Sequence, residues 1–145
     1  MNLSPRPALP SVAEAEFDAY ADGYDAGMGN PVKRLVGSSP ADFLRVKVRW
    51  LMNDLRGRSN VDLIDYGCGP GGLLAELAAA GFPGRLAGCD VSEKMLALAR
   101  TKWDAPSEAD FFAARAEEID EREGRFDVAV ISAVLHHVMP PDRPA

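Results

Sequence analysis

Histidine, cysteine and tryptophan are scarce in this chain of 145 residues, with two of each. The cysteines, Cys68 and Cys89, lack the short spacing of zinc ligands, so no metal site is expected. Both are expected as reduced thiols at the ends of neighbouring strands, the usual state in a cytosolic protein. No apolar run approaches the twenty or so residues that span a bilayer, and stretches such as Leu77 to Ala80 are far too short. The first residues, M-N-L-S-P-R-P-A-L-P, do not pair a basic region with an apolar core, so no secretory signal is expected and the cytoplasm is the expected compartment. An excess of basic charge is missing too. The formal net charge is −6 and the pI about 4.9, which argues against a large nucleic-acid surface and leaves room only for a local basic groove.

What is present is ordinary for a folded soluble domain: 47% hydrophobic and 26% charged residues, enough for one core. Residues 1–10 hold three prolines and are expected to be a flexible N-terminus. Residues 11–58 read as helical. Ser11 and Glu14 have capping-box spacing, and Phe17, Tyr20 and Tyr24 then share a helical face. Ser39-Pro40-Ala41-Asp42 starts a second helix, with Leu44, Val48, Leu51 and Leu55 as its apolar stripe and Gly57 as its stop. Lys47, Arg49, Arg56 and Arg58 are assigned to its solvated side.

From residue 59 onward, strands alternate with helical segments, as in a parallel sheet. Val61 to Asp65 reads as a buried strand, followed by the glycine turn Gly67-Cys68-Gly69-Pro70-Gly71-Gly72 and a helix to about Ala80. Further strands are expected over 85–90, 109–114 and 126–132, the last apolar on both faces. Ser92 is placed to cap the helix after the second strand. A strand, glycine turn and helix in this order direct backbone N–H groups toward an anionic or polar ligand. Asp90 closes the second strand, 23 positions after Gly67, where a carboxylate can accept both ribose hydroxyl protons of an adenosine. The glycine string also satisfies G-x-G-x-x-G, so a dinucleotide-binding oxidoreductase domain is an alternative.

The segment Asp65-Tyr66-Gly67-Cys68-Gly69-Pro70-Gly71 resembles the first motif of the class I S-adenosylmethionine (SAM) dependent methyltransferases. Three further stretches are similar to later segments of that family: Asp90-Val91-Ser92-Glu93-Lys94-Met95-Leu96, Ala113 to Ile119, and Phe126 to His137. Phe17 to Asp25 is similar to its lid segment, so the likeness runs from Phe17 to Val138. It implies a Rossmann-like α/β fold with a parallel sheet and flanking helices, and SAM as cofactor. It further implies methyl transfer to an acceptor that is expected to be a small molecule, with neither nucleic acid nor membrane as partner.

The residue roles carried over by this resemblance are as follows. Asp65 lies near the cationic methionine part of SAM, and Gly67, Cys68, Gly69 and Gly71 form the turn beneath it. Asp90 holds the ribose, Val91 and Met95 flank the adenine, and the backbone N–H of Ala116 reaches the ring. Ser132 lies beneath the sulfonium, and Tyr24 closes over it from the lid. Arg115 departs from the pattern, since an Asp in that place accepts from the adenine amino group and an arginine cannot. His136 and His137 are expected to open the next helix, and no general base is assigned. The family usually carries seven strands and four are read here. Residues 59–145 are therefore expected to be the cofactor-binding portion, its fourth strand an exposed edge for a second copy or a partner to cover. A SAM-binding fragment inactive by itself and a partner-dependent half-domain are the alternatives to a self-sufficient enzyme.

Overall fold

Short strands with near-continuous apolar runs give the sheet two apolar faces, and the helices between them supply the cover. The computed structural model describes residues 40–105, 107–132 and 134. The expected lid, including Tyr24, and the pair His136 and His137 lie outside the described residues.

The elements run α1 (Pro40–Asp54), β1 (Leu63–Tyr66), α2 (Gly72–Ala79), β2 (Leu86–Asp90), α3 (Glu93–Lys102), β3 (Ala109–Ala113), α4 (Ala116–Asp120) and β4 (Val128–Ile131). All strand pairings are parallel, in the order β3-β2-β1-β4. The strands begin up to two residues later than the apolar pattern implied, because pairing rather than hydrophobicity sets their ends.

One face of the sheet carries most of the core. Leu63, Leu86, Phe111 and Ala113 pack there against Val48 and Leu51 of α1, Leu73, Leu74 and Leu77 of α2, and Leu96 and Ala99 of α3. The opposite face holds a smaller cluster of Ala87, Cys89, Phe112 and Ala114, with Ile64, Tyr66, Ile119 and Phe126 against it. Among the described residues β4 is the expected exposed edge of the sheet, although its sequence is apolar on both faces. Its residues alternate between half-buried and exposed, with Ile131 56% exposed, because only β1 pairs with it among the described residues. Phe43, Val46 and Trp50 also stand exposed on α1.

The order β3-β2-β1-β4 places a topological switch point between β1 and β4. The chain leaves β1 toward β2 on one side, while β4 lies on the other. Ligands in open parallel sheets bind in the crevice outside the carboxyl ends of the strands at such a point.

Candidate active site at the carboxyl edge of the sheet

The register pairs Leu63 with Leu86 and Asp65 with Gly88. Side chains alternate along a strand, so Asp65 and Asp90 share a face, that of the three long helices. Both are buried. They are near enough that Asp90 acts electrostatically on Asp65. The residues predicted to hold the two ends of one ligand thus border a common region at the ends of adjacent strands.

Their surroundings differ. Asp90 is held by the main chain of two loops: its Oδ2 accepts from the Gly69 N–H at 2.8 Å and its Oδ1 from the Ser92 N–H at 2.9 Å. Ser92, fully buried, caps α3 through its Oγ, which accepts from the Met95 N–H at 3.2 Å. Asp90 therefore ties the glycine turn to the start of α3, and each of its oxygens keeps lone-pair capacity for a further donor. Asp65, in contrast, has a buried Oδ1 that accepts no hydrogen bond from any described protein group. Burial drives its carboxyl up to about pKa 7, against the pull of the Lys47 ammonium and with a push from Asp90. A buried carboxylate lacking a donor is costly, and a cation beside it would offset that cost.

The glycine turn is shaped differently from the expected cradle of free N–H groups. Gly67 and Cys68 both donate to the Cys89 carbonyl, at 2.8 and 3.0 Å. Gly69 donates to Asp90, and Gly71 to the Cys68 carbonyl at 3.0 Å. These four amides close the turn on itself, so what it contributes is room and curvature. Gly67 has φ +76°, and a Cβ there would lie 2.3 Å from Val134, so both conformation and the close approach of the chain after β4 require glycine. Among the described residues a Cβ on Gly69 would meet nothing within 4 Å, which leaves space beside Asp90. A Cβ on Gly71 would press on Ala99 and Phe111, so this glycine serves the packing of α2 on α3 and β3.

Other predicted residues fall as follows. The Cys68 thiol faces the core, within 2.8 Å of the position a Gly88 Cβ would take, so only main-chain atoms of Cys68 can border a ligand. Both cysteines are free, and burial raises both thiols, Cys89 to about pKa 12. Neither is a reactive thiolate at neutral pH. Val91 is half-buried against the smaller cluster and Met95 is buried in the first turn of α3, both following Asp90. Ala116 opens α4, where a helical N–H has no intrahelical acceptor. Arg115 pairs with Glu93 at 3.2 Å, bringing a carboxylate to the segment where the arginine replaced one. Ser132 directly follows β4.

One residue of the solvated side of α1 is exposed, as expected, and also reaches the end of β4. The Lys47 Nζ donates to the Ser132 Oγ at 2.5 Å, a contact between residues 85 apart in sequence. The apolar stripe of α1 predicted the docking of that helix, but nothing local marked which of its cations would overhang the sheet edge. A separate hollow of about 1000 Å³ lies between α1 and the end of α2, lined by Val46, Trp50, Met52, Arg56 and Ala79 among others, and neither aspartate borders it. Among the described residues no group of three metal-ligating side chains occurs, and no helix is long and apolar enough to cross a membrane.

Comparison with known proteins agrees with this architecture. The family model for the methyltransferase domain matches residues 63–145, more than half of the chain. The chain is 36% identical over 87 residues to the ubiquinone biosynthesis O-methyltransferase of Aromatoleum aromaticum, covering 59% of this chain and 36% of that protein. It is 32% identical over 112 residues to ribosomal RNA small subunit methyltransferase C of Salmonella choleraesuis, covering 77% of this chain and 32% of that protein. Among solved structures, the magnesium protoporphyrin IX methyltransferase of Synechocystis PCC 6803 with bound SAM superposes with a TM-score of 0.59 at 22% identity, over 87% of this chain and 64% of that one. The chain thus spans about a third of the length of these two curated relatives. The expected exclusion of nucleic acid as a partner gains no support here, since one relative is named for ribosomal RNA. The chain belongs to the methyltransferase-domain family, with the Rossmann-like fold of the class I SAM-dependent methyltransferases.

Proposed function

We propose that this chain carries the SAM site of a methyltransferase whose acceptor is a small molecule. The observation that carries the reading is the pair of unlike buried aspartates at one sheet edge. Asp65 has an unsatisfied oxygen suited to a cation, and Asp90 is a pre-oriented carboxylate suited to a ribose diol. The open space over Gly69 gives a ligand room to approach Asp90. Bound here, SAM would supply an electrophilic methyl group on a sulfonium.

The protein's share of the chemistry is placement. Asp65 would hold the positive charge of the methionine portion, Asp90 the sugar, and Val91, Met95 and the Ala116 N–H the adenine. Ser132 and the main chain of the glycine turn would border the reacting end. An acceptor would have to be held in line with the bond from that methyl group to its sulfur. Fixing that alignment away from water supplies much of the rate. No described side chain is assigned as a base.

A small-molecule acceptor is favoured by the net charge of −6, by two carboxylates facing the site, and by the ubiquinone-biosynthesis relative. An RNA acceptor would have to bring its phosphates past those charges. Calorimetric titration with SAM, S-adenosylhomocysteine and NAD tests the site, with binding of the first two and not the third expected. Binding of NAD alone would replace the reading with the dinucleotide one. Methyl transfer from labelled SAM to ribosomal RNA, and to no small phenolic or quinol acceptor, would overturn the acceptor class.

A further inference from the structure

We propose that the hollow between α1 and the end of α2 is a second binding site, for a small amphiphilic anion: a free molecule whose apolar body ends in a carboxylate or phosphate. Neither Asp65 nor Asp90 borders this hollow, so the proposal stands apart from the SAM reading.

The hollow has an apolar base. Val48 is buried and Met52 half-buried, and both line it from α1; Ala79 and Ala80 line it from the end of α2. Val46 and Trp50 border it too, and they stand 61% and 66% exposed. Four residues apart, they lie one turn from each other on the outer side of α1. A helix that is apolar outward as well as toward the core offers that outer side to something else.

The charges around the hollow decide what fits it. Arg45, Arg49 and Arg56 recur at spacings of four and seven along one flank of α1 and its closing turn, and all three border the hollow. Residues 40–58 carry Arg45, Lys47, Arg49, Arg56 and Arg58 against Asp42 and Asp54, a local excess of positive charge in a chain of net charge −6. Arg45 is engaged, 3.7 Å from Asp42 and 3.8 Å from Glu76, which is the acidic residue of the lining. Arg49 and Arg56 have no carboxylate within 4 Å among the described residues. Two guanidinium groups beside an apolar base suit an acid group with an apolar body attached. A recess of about 1000 Å³ has the size of a small-molecule cleft. The acidity of the rest of the chain opposes its approach to an anionic bilayer or an acidic protein, which leaves a free molecule as the occupant.

The probe is monomeric decanoate, with 1-decanol as its neutral counterpart, titrated into nitrogen-15 labelled wild type and the double variant Arg49→Gln/Arg56→Gln. Saturable amide shifts are expected within residues 45–56 and 76–80. The double variant is expected to bind decanoate on the order of tenfold more weakly and to bind 1-decanol as the wild type does. Both arginines are exposed, so the variant is expected to fold, and its amide spectrum shows whether it does. Trp50→Ala, which removes apolar cover and no charge, is expected to weaken both probes alike. Unchanged decanoate affinity in the folded double variant overturns the proposal, as do shifts confined to other parts of the protein. Shifts of these amides with phosphatidylglycerol vesicles and none with decanoate would overturn it in favour of a membrane-docking face.

Discussion

The ends of β1 and β2 each present a buried aspartate, and the two are built in opposite ways. At β2, Asp90 is satisfied by two main-chain N–H groups, and removing it would undo the link between the glycine turn and α3. At β1, Asp65 keeps a buried oxygen without a donor among the described residues and a carboxyl pushed up to about pKa 7. The first aspartate serves the fold; the second burdens it, and the proposed function gives that burden a use in holding a cation. Buried polar groups are usually paired, and an exception at a strand end beside a switch point marks function more strongly than a fully bonded group does.

The largest effect expected from this contrast is at Asp90. Asp90→Ala removes two hydrogen bonds to a charged acceptor and should destabilise the fold by about 3–5 kcal/mol, read from urea denaturation. Stability unchanged within error would mean that the two loops hold together without it. Next is Asp65→Asn, with the opposite sign. At pH 8 the buried charge is gone, and the fold should gain roughly 1–3 kcal/mol, seen as a higher melting temperature.

A pH series sharpens the same point. The folded pKa of Asp65, about 7, lies above its ordinary value of 3.8. The native state therefore binds more protons between these values, and stability must fall as pH rises through them. This contribution is fully present below about pH 4 and lost above about pH 7. Asp65→Asn should flatten the decline between about pH 4 and 7, and an equally steep decline in the variant would assign it to other groups. The smallest effect is at Ser92. Ser92→Ala loses the cap of α3 and should cost about 1–2 kcal/mol, and the looser Asp90 should weaken SAM binding only a few-fold.

Much of this was legible along the chain because it is local. The glycine turn, the aspartate before it and the aspartate closing the next strand are fixed by short-range geometry, as is the Ser92 cap. What escaped the sequence depends on contacts made across it. Lys47 is a cation on the solvated face of α1, as it reads, but its contact with Ser132 exists only once that helix has docked. The turn's N–H groups read as ligand donors until Asp90 and the Cys89 carbonyl take them up. The direction of the Cys68 thiol is likewise set at a distance, by the space that Gly88 leaves for it in the core.

The most direct test of the account is SAM titration of the wild type and Asp65→Asn by calorimetry at pH 8, with thermal unfolding of the same samples. The account predicts that Asp65→Asn is the more stable protein and binds SAM about tenfold more weakly or worse. An Asp65→Asn variant that binds SAM as tightly as the wild type would contradict it.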